Sequence, residues 1–98
     1  MPVIAILDLQ LKADAVGRAD EVIRATLADT RAFPGCLGVT VLVDNANPTH
    51  VALYEQWESV EHDAAYRTWR ATEEGASDLG SLLAAAPTLA LFTVAEGV

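Results

Sequence analysis

The sequence predicts a small α+β domain built on one four-stranded antiparallel sheet, with the element order β-α-β-β-α-(α)-β. Three observations carry the prediction. Four short runs are rich in branched aliphatic residues, two longer runs repeat apolar residues at helical spacing, and Pro-, Gly- or Asn-containing turns separate them. A chain of 98 residues fits a single domain, 1–98, and shows no repeat or linker.

VIAILDLQL, residues 3–11, reads as a buried strand. Its odd positions, Val3, Ala5, Leu7, Leu9 and Leu11, form one apolar face, while Ile4, Ile6, Asp8 and Gln10 form a mixed one. Asp14 offers an N-cap oxygen to a helix whose apolar stripe is Val16, Ala19, Ile23, Leu27 and Thr30. FPG at 33–35 ends that helix, because Pro34 disfavours helical backbone at Phe33 and Gly35 permits a tight turn. CLGVTVLV, 36–43, is a second strand, DNANP, 44–48, a turn cluster, and THVALYEQW, 49–57, a third strand, together an antiparallel hairpin with a longer loop. Ser59 caps a second helix over about 60–72. Residues 73–86 read as an irregular link containing a short helix, and Pro87 opens a last strand, TLALFTVA, 88–95.

This order is the split βαβ pattern of a ferredoxin-like fold, with both helices on one face of the sheet. The other face carries Ile4 and Ile6 with, depending on register, either Leu37, Val39, Val41 and Val43 or the alternate set. An apolar sheet face of that area needs a partner, and a second copy packed face to face is the simplest.

Composition narrows the function. The formal charge of −8, from 14 acidic against 6 basic residues, argues against nucleic acid or an anionic membrane as partner. Cys36 is the only cysteine and the two histidines, His50 and His62, are well separated, so neither a disulfide nor a metal site is expected. The start MPVIAILDLQLK has no basic leader, Asp8 interrupts its apolar run, and no run approaches the length of a membrane span. A soluble cytoplasmic protein is expected.

The stretch ALYEQWESVEHDAAYRTW, 52–69, concentrates the large side chains of a chain otherwise built from small ones. As a strand it points Leu53, Glu55 and Trp57 one way and Tyr54 the other. As a helix it gathers His62, Ala65, Tyr66 and Trp69 by threes and fours. Large rims around small floors leave room for a ligand, and a mainly apolar cleft with a few polar groups is what small-molecule sites look like. The same residues can equally be core, His62 a surface residue, Tyr54 a partner contact, and Arg67 and Arg70 flank residues paired with Glu73 and Glu74.

FPGCLGVTVLVDNANPTHVALYEQWES resembles the core signature of the antibiotic biosynthesis monooxygenase family. The likeness rests on the Pro34-Gly35 turn into the second strand, the 44–48 loop, and a third strand ending Glu55-Gln56-Trp57-Glu58-Ser59. The element order matches from Val3 to Ala95. The resemblance implies a dimeric α+β barrel, two sheets packed face to face, with a pocket between sheet and helices in each subunit. It implies oxygenation of phenolic or quinol-type aromatics without flavin, haem or metal, because the electron-rich substrate anion itself reduces O₂. Where members of the family often carry a His on the second helix, this chain has Tyr66, with His62 one turn earlier. Where haem-degrading members carry an Asn on the first strand, this chain has Leu7, Asp8 or Leu9, which argues against haem degradation. Leu53 stands where some oxygenating members place an Asn.

The expected catalytic residues are therefore Trp57 and Tyr66, which hold the ring, and His62 or Glu55, which takes the proton; partial desolvation would raise a glutamate toward neutrality. Tyr54, Trp69, Leu53 and Phe92 complete the expected substrate-binding set. A homodimer, a small aromatic ligand and no cofactor go with this reading. A non-catalytic binding module of the same fold, or a cyclase or decarboxylase on it, is the alternative.

Overall fold

The computed structural model describes residues 2–98. The chain runs β1 (Val3–Gln10), α1 (Val16–Ala32), β2 (Cys36–Asp44), β3 (Asn47–Trp57), α2 (Val60–Arg70) and β4 (Thr88–Thr93), with 3-10 turns at Ala13–Ala15 and Asp78–Leu82. All neighbouring strands are antiparallel, and the sheet order is β2-β3-β1-β4. This is the predicted α+β ferredoxin-like arrangement.

Strand alternation decides what each face carries. The β1–β3 register pairs Val3 with Trp57, Ala5 with Glu55, Leu7 with Leu53 and Leu9 with Val51, so these eight side chains point together toward the helices. Helix α1 covers them with Ala19, Ile23, Thr26, Leu27 and Thr30, while Val16 is left exposed. The core has two parts: an aliphatic one around Leu9, Ile23, Leu27, Leu53 and Leu82, and an aromatic one around Trp57 and Tyr66, flanked by Phe33 and Trp69.

Several boundaries differ from the sequence reading. Asp14 lies inside the first 3-10 turn and makes no cap; α1 starts without a side-chain cap. The hairpin loop is shorter than expected. Asp44 Oδ1 accepts Ala46 N–H at 2.8 Å and Asn47 Oδ1 accepts Thr49 N–H at 3.1 Å, so side chains close the turn over two residues. Pro48 falls in the register shift between the Val43–Val51 and Asp44–Asn47 pairs, where its lack of an N–H costs nothing. Ser59 does cap α2, accepting His62 N–H at 3.2 Å. Gly35 has φ +90°, and a Cβ there would lie 2.3 Å from the His62 ring, so a side chain is excluded on both counts.

Segment 71–87 is a strap that crosses the open side of the helix layer before β4 joins β1. Lys12 N–H donates to Leu82 O at 2.8 Å, Ala84 N–H to Gln10 O at 2.7 Å, and Leu11 bridges Leu83. Leu82 is buried in the aliphatic core.

On the face away from the helices, register groups Ile4 with Phe92, Ile6 with Tyr54 and Ala90, and Ala52 with Leu42. Phe92 and Leu42 are exposed. One end of this face is polar: His50 bridges Asp8 (Nε2 to Oδ1, 2.7 Å) and Asp44 (Nδ1 to Oδ2, 2.9 Å). Hydrogen bonds to Asp44 and then Asp8 raise His50 above its usual 6.5, and the His50 bond holds Asp44 below its usual 3.8.

A raised folded-state pKa stabilises fully below the unfolded value and is lost as pH rises through the folded one. The His50 contribution is therefore expected in full below about pH 6.5 and to fade above it. The thermal midpoint of wild type minus that of His50→Gln, followed from pH 5.5 to 9, is expected to shrink toward alkaline pH. A gap independent of pH would refute the bridge.

Candidate active site

Between the sheet, α1, α2 and the strap lies a cavity of about 400 Å³. Leu7 and Leu53 form its floor, Leu27 one side, and Leu79, Leu83 and Pro87 of the strap another. One wall is polar, made of Glu55, Tyr66, Arg67 and Arg70. An apolar chamber with a few convergent polar groups is the usual form of a small-ligand site.

Glu55 defines the polar wall. Its position in β3, between Leu53 and Trp57 on the helix-facing side, leaves it 1% exposed. A carboxylate taken out of water must be paired and hydrogen-bonded. Trp57 Nε1–H, two residues on and on the same face, donates to Oε1 at 3.1 Å, and Arg67 Nη2 donates to the same oxygen at 2.7 Å. Arg67 Nη2 also donates to Asp63 Oδ1 at 2.9 Å, one helical turn earlier, and Asp63 is 2% exposed. Both bonds to Glu55 fall on Oε1, so Oε2 has no hydrogen-bond partner among the described residues.

Tyr66 anchors a second network. Its hydroxyl lies 2.6 Å from Thr30 Oγ1 and accepts Arg70 Nε–H at 2.6 Å. Arg70 Nη2 donates to Thr26 O at 2.7 Å and to Thr30 Oγ1 at 3.0 Å, and Nη1 donates to Gly75 O at 3.1 Å. One guanidinium thus ties α1, α2 and the strap. Both guanidinium carbons stand over the Tyr66 ring, 4.9 Å (Arg67) and 5.1 Å (Arg70) from its centroid.

The expected site residues separate into four places. Glu55, Leu53 and Tyr66 line the cavity. Trp57 is fully buried behind it, 4.9 Å from the Tyr66 ring centroid, and Trp69 packs on Phe33 at 5.4 Å outside it. Tyr54 and Phe92 point to the opposite face of the sheet, where with Ile4 and Ile6 they line a shallow depression of about 260 Å³. His62 stands at the start of α2, its side chain 42% exposed. Ser59 Oγ accepts the His62 N–H at 3.2 Å and lies 2.7 Å from Nδ1 of the same residue, so backbone and ring of His62 both bond the capping hydroxyl. His62 serves the cap and fills the space beside Gly35, away from the cavity. Burial pushes the Cys36 thiol above its usual 9.0, so it is not an activated nucleophile.

Arg67, Arg70 and Asp63 did not emerge from the sequence as site residues. Neither arginine bonds to Glu73 or Glu74. The legible signal was the spacing Asp63, Tyr66, Arg67, Arg70, which is i, i+3, i+4, i+7: one helix face, displaced by one position from the His62/Tyr66/Trp69 stripe.

A four-stranded antiparallel sheet with two helices on one face, beside a largely apolar cavity with one charged wall, defines an α+β domain of ferredoxin-like fold. The family model described as antibiotic biosynthesis monooxygenase matches residues 2–75, and the chain belongs to that family. Among solved structures, a variant of SnoaB, a cofactor-independent oxygenase from Streptomyces nogalater, superposes with a TM-score of 0.81 at 16% identity, covering 99% of this chain and 96% of that one. Rv0793 from Mycobacterium tuberculosis gives 0.77 at 19% identity over 100% of both chains. A structure described as antibiotic biosynthesis monooxygenase gives 0.77 at 23% identity, covering 95% and 98%. At these identities the likeness is one of fold. No curated protein matches the sequence. Among the described residues no helix is long and apolar enough to cross a membrane.

The Glu55–Arg67–Asp63 cluster predicts unequal costs. Arg67→Met strands two buried carboxylates and is expected to lower unfolding stability by about 3 kcal/mol or more. Glu55→Gln keeps an oxygen that accepts from Trp57 and Arg67, and is expected to cost about 1 kcal/mol. Urea unfolding of the two variants measures both; equal costs would contradict the geometry.

Proposed function

We propose that the protein is a cofactor-independent monooxygenase acting on a small, electron-rich aromatic of phenol, quinol or polyketide type bound between sheet and helices. The observation that carries this reading is Glu55, a buried carboxylate on the polar wall of a largely apolar chamber, with one oxygen uncommitted among the described residues. In such a site Glu55 is the base that takes the substrate proton, and is preferred to His62, whose ring serves the helix cap. The resulting substrate anion reduces O₂ directly. For an anthrone-type methylene, one oxygen atom becomes the carbonyl oxygen of the product and the other leaves as water, the methylene giving up two hydrogens and four electrons. No flavin, haem or metal enters that balance. Tyr66 contacts the ring, and Trp57 backs Tyr66 and orients Glu55 through its indole N–H.

Purified protein with no added cofactor is expected to consume O₂ with anthrone or dihydroxynaphthalene substrates. Glu55→Gln should lower turnover by roughly 10²-fold or more, the scale of losing a general base, and His62→Ala should leave it nearly intact. Loss of turnover in His62→Ala but not in Glu55→Gln would reverse the assignment. The ion pair of Glu55 with Arg67 at 2.7 Å favours a second reading, a binding module that holds the aromatic without oxidising it. Ligand binding with no O₂ uptake would establish that reading instead.

We also read the protein as a cytoplasmic homodimer joined through the free sheet face, where Ile4, Ile6, Tyr54, Leu42 and Phe92 lie uncovered by the helices. Light scattering at micromolar concentration is expected to give about twice the 10.4 kDa chain mass. A stable monomer would refute it.

A further inference from the structure

The two arginines of the cavity wall are not equivalent. Arg70 has every nitrogen engaged: Nε with Tyr66, Nη1 with Gly75 O, and Nη2 with Thr26 O and Thr30 Oγ1. It is a structural tie. Arg67 uses Nη2 alone, for Glu55 and Asp63. Its Nε is buried without a partner, and Nη1 has none among the described residues. A guanidinium carries five N–H donors in a rigid fork, so Arg67 lines the chamber with its Nη1 donors uncommitted, on the same wall as Glu55, whose Oε2 is uncommitted.

We infer that Arg67 is the oxygen receptor of the site, donating to the ligand oxygen from which Glu55 removes the proton. This inference rests on the reading of Glu55 as base. The O–H bond of a neutral phenol or enol breaks, its proton passes to Glu55 Oε2, and the negative charge left on the ligand oxygen is held by the free N–H groups of Arg67. Pairing an acceptor carboxylate with a donor guanidinium suits a ligand that arrives neutral and becomes an anion inside.

Charge bookkeeping sets a selection rule. Carboxylates already meet both guanidiniums, Glu55 of the wall and Asp63 behind it on Arg67 and the exposed Asp29 on Arg70 at 3.8 Å, so no cationic charge is left over for a ligand. A neutral ligand that hands its proton to Glu55 leaves that balance unchanged. A ligand already carrying a carboxylate adds an uncompensated charge against Glu55 in a largely apolar chamber, which is unfavourable. The site therefore takes ionisable neutral aromatics and refuses aromatic acids of the same size.

The test uses the full chain under anaerobic conditions, so that no oxygenation follows binding. Three probes of one shape separate the features: 2-naphthol, 2-methoxynaphthalene, which has no proton to give, and 2-naphthoate, which is permanently charged. Affinity is read by equilibrium dialysis, and ionisation by the naphtholate absorbance of the bound probe. Wild type is expected to bind 2-naphthol at least tenfold more tightly than either other probe, and to raise the naphtholate fraction above that of free probe at the same pH. Arg67→Lys keeps a cation between Glu55 and Asp63 but removes the fork, and should lose both effects, with roughly tenfold or greater loss of affinity. Should that variant fold poorly, Asp63→Asn with Arg67→Gln removes a carboxylate together with the cation and should behave alike. Glu55→Gln should abolish the naphtholate signal.

Unchanged affinity and ionisation in a folded Arg67 variant overturns the role of Arg67 and leaves Glu55 standing. Equal binding of 2-naphthoate overturns the selection rule. Failure of wild type to bind any of the three overturns the reading of the cavity itself, and the inference with it.

Discussion

A carboxylate that strand alternation forces into the core is the constraint on which this structure turns. Glu55 follows Leu53 and precedes Trp57 on the inner face of β3, and no rearrangement short of a register slip would expose it. Its charge has to be met inside the protein. The indole N–H of Trp57 and the guanidinium of Arg67 meet it, and Arg67 is in turn held by Asp63. Because Asp63 and Arg67 belong to α2, satisfying Glu55 fixes how that helix rotates about its own axis and which of its faces meets the sheet. The short connection from Trp57 to the Ser59 cap leaves few other ways to lay the helix down.

The second network follows from the same rotation. With Asp63 and Arg67 turned inward, Tyr66 and Arg70 share their face and reach α1. The Tyr66 hydroxyl meets Thr30, and Arg70 spans Thr26, Thr30 and the carbonyl of Gly75. A Cβ on Gly75 would stand 1.9 Å from Trp69 O, so the chain passes against the end of α2 only because that residue has no side chain. Buried polar networks of this kind favour one arrangement of the elements when every member is satisfied. Here one member, Nε of Arg67, has no partner among the described residues, and Arg67 is one of the residues that line the chamber. Local departure from full satisfaction at a site, inside an otherwise consistent fold, is the pattern expected of function.

Much of the fold was legible because it depends on periodicity. The apolar odd positions of residues 3–11, the helical stripe from Ala19 to Thr30 and the Pro34-Gly35 stop are local signals, and each lies where expected. What escaped was set by partners distant in sequence. The α2 face was misjudged by one residue, since its ring-bearing members alone point to His62, Tyr66 and Trp69; Asp63 and Arg67 turn inward for a glutamate on another element. Alternation had already set Tyr54 against Glu55, yet both were gathered into one site; the register with β1 places Tyr54 beside Ile6 on the far face. The hairpin turn was read too long because Asp44 and Asn47 close it with side-chain oxygens, which composition alone does not reveal.

The strap has a different standing from the rest of the chamber. The segment matched by the family model ends at residue 75, where the strap's cavity-facing part begins. Apart from Leu82, which is sunk in the core, the strap is held mainly by backbone bonds to Lys12 and Gln10 and by side-chain bonds from Arg18 and Arg70. Ala76, Ser77, Leu79 and Gly80 therefore border the chamber without carrying the sheet or the charged wall. Such positions tolerate exchange at little cost in stability. The charged wall and the shape-giving wall are thus encoded in separate stretches of the gene, and drift in a few strap codons can remodel the outline of the chamber while the Glu55–Arg67 pair stays untouched.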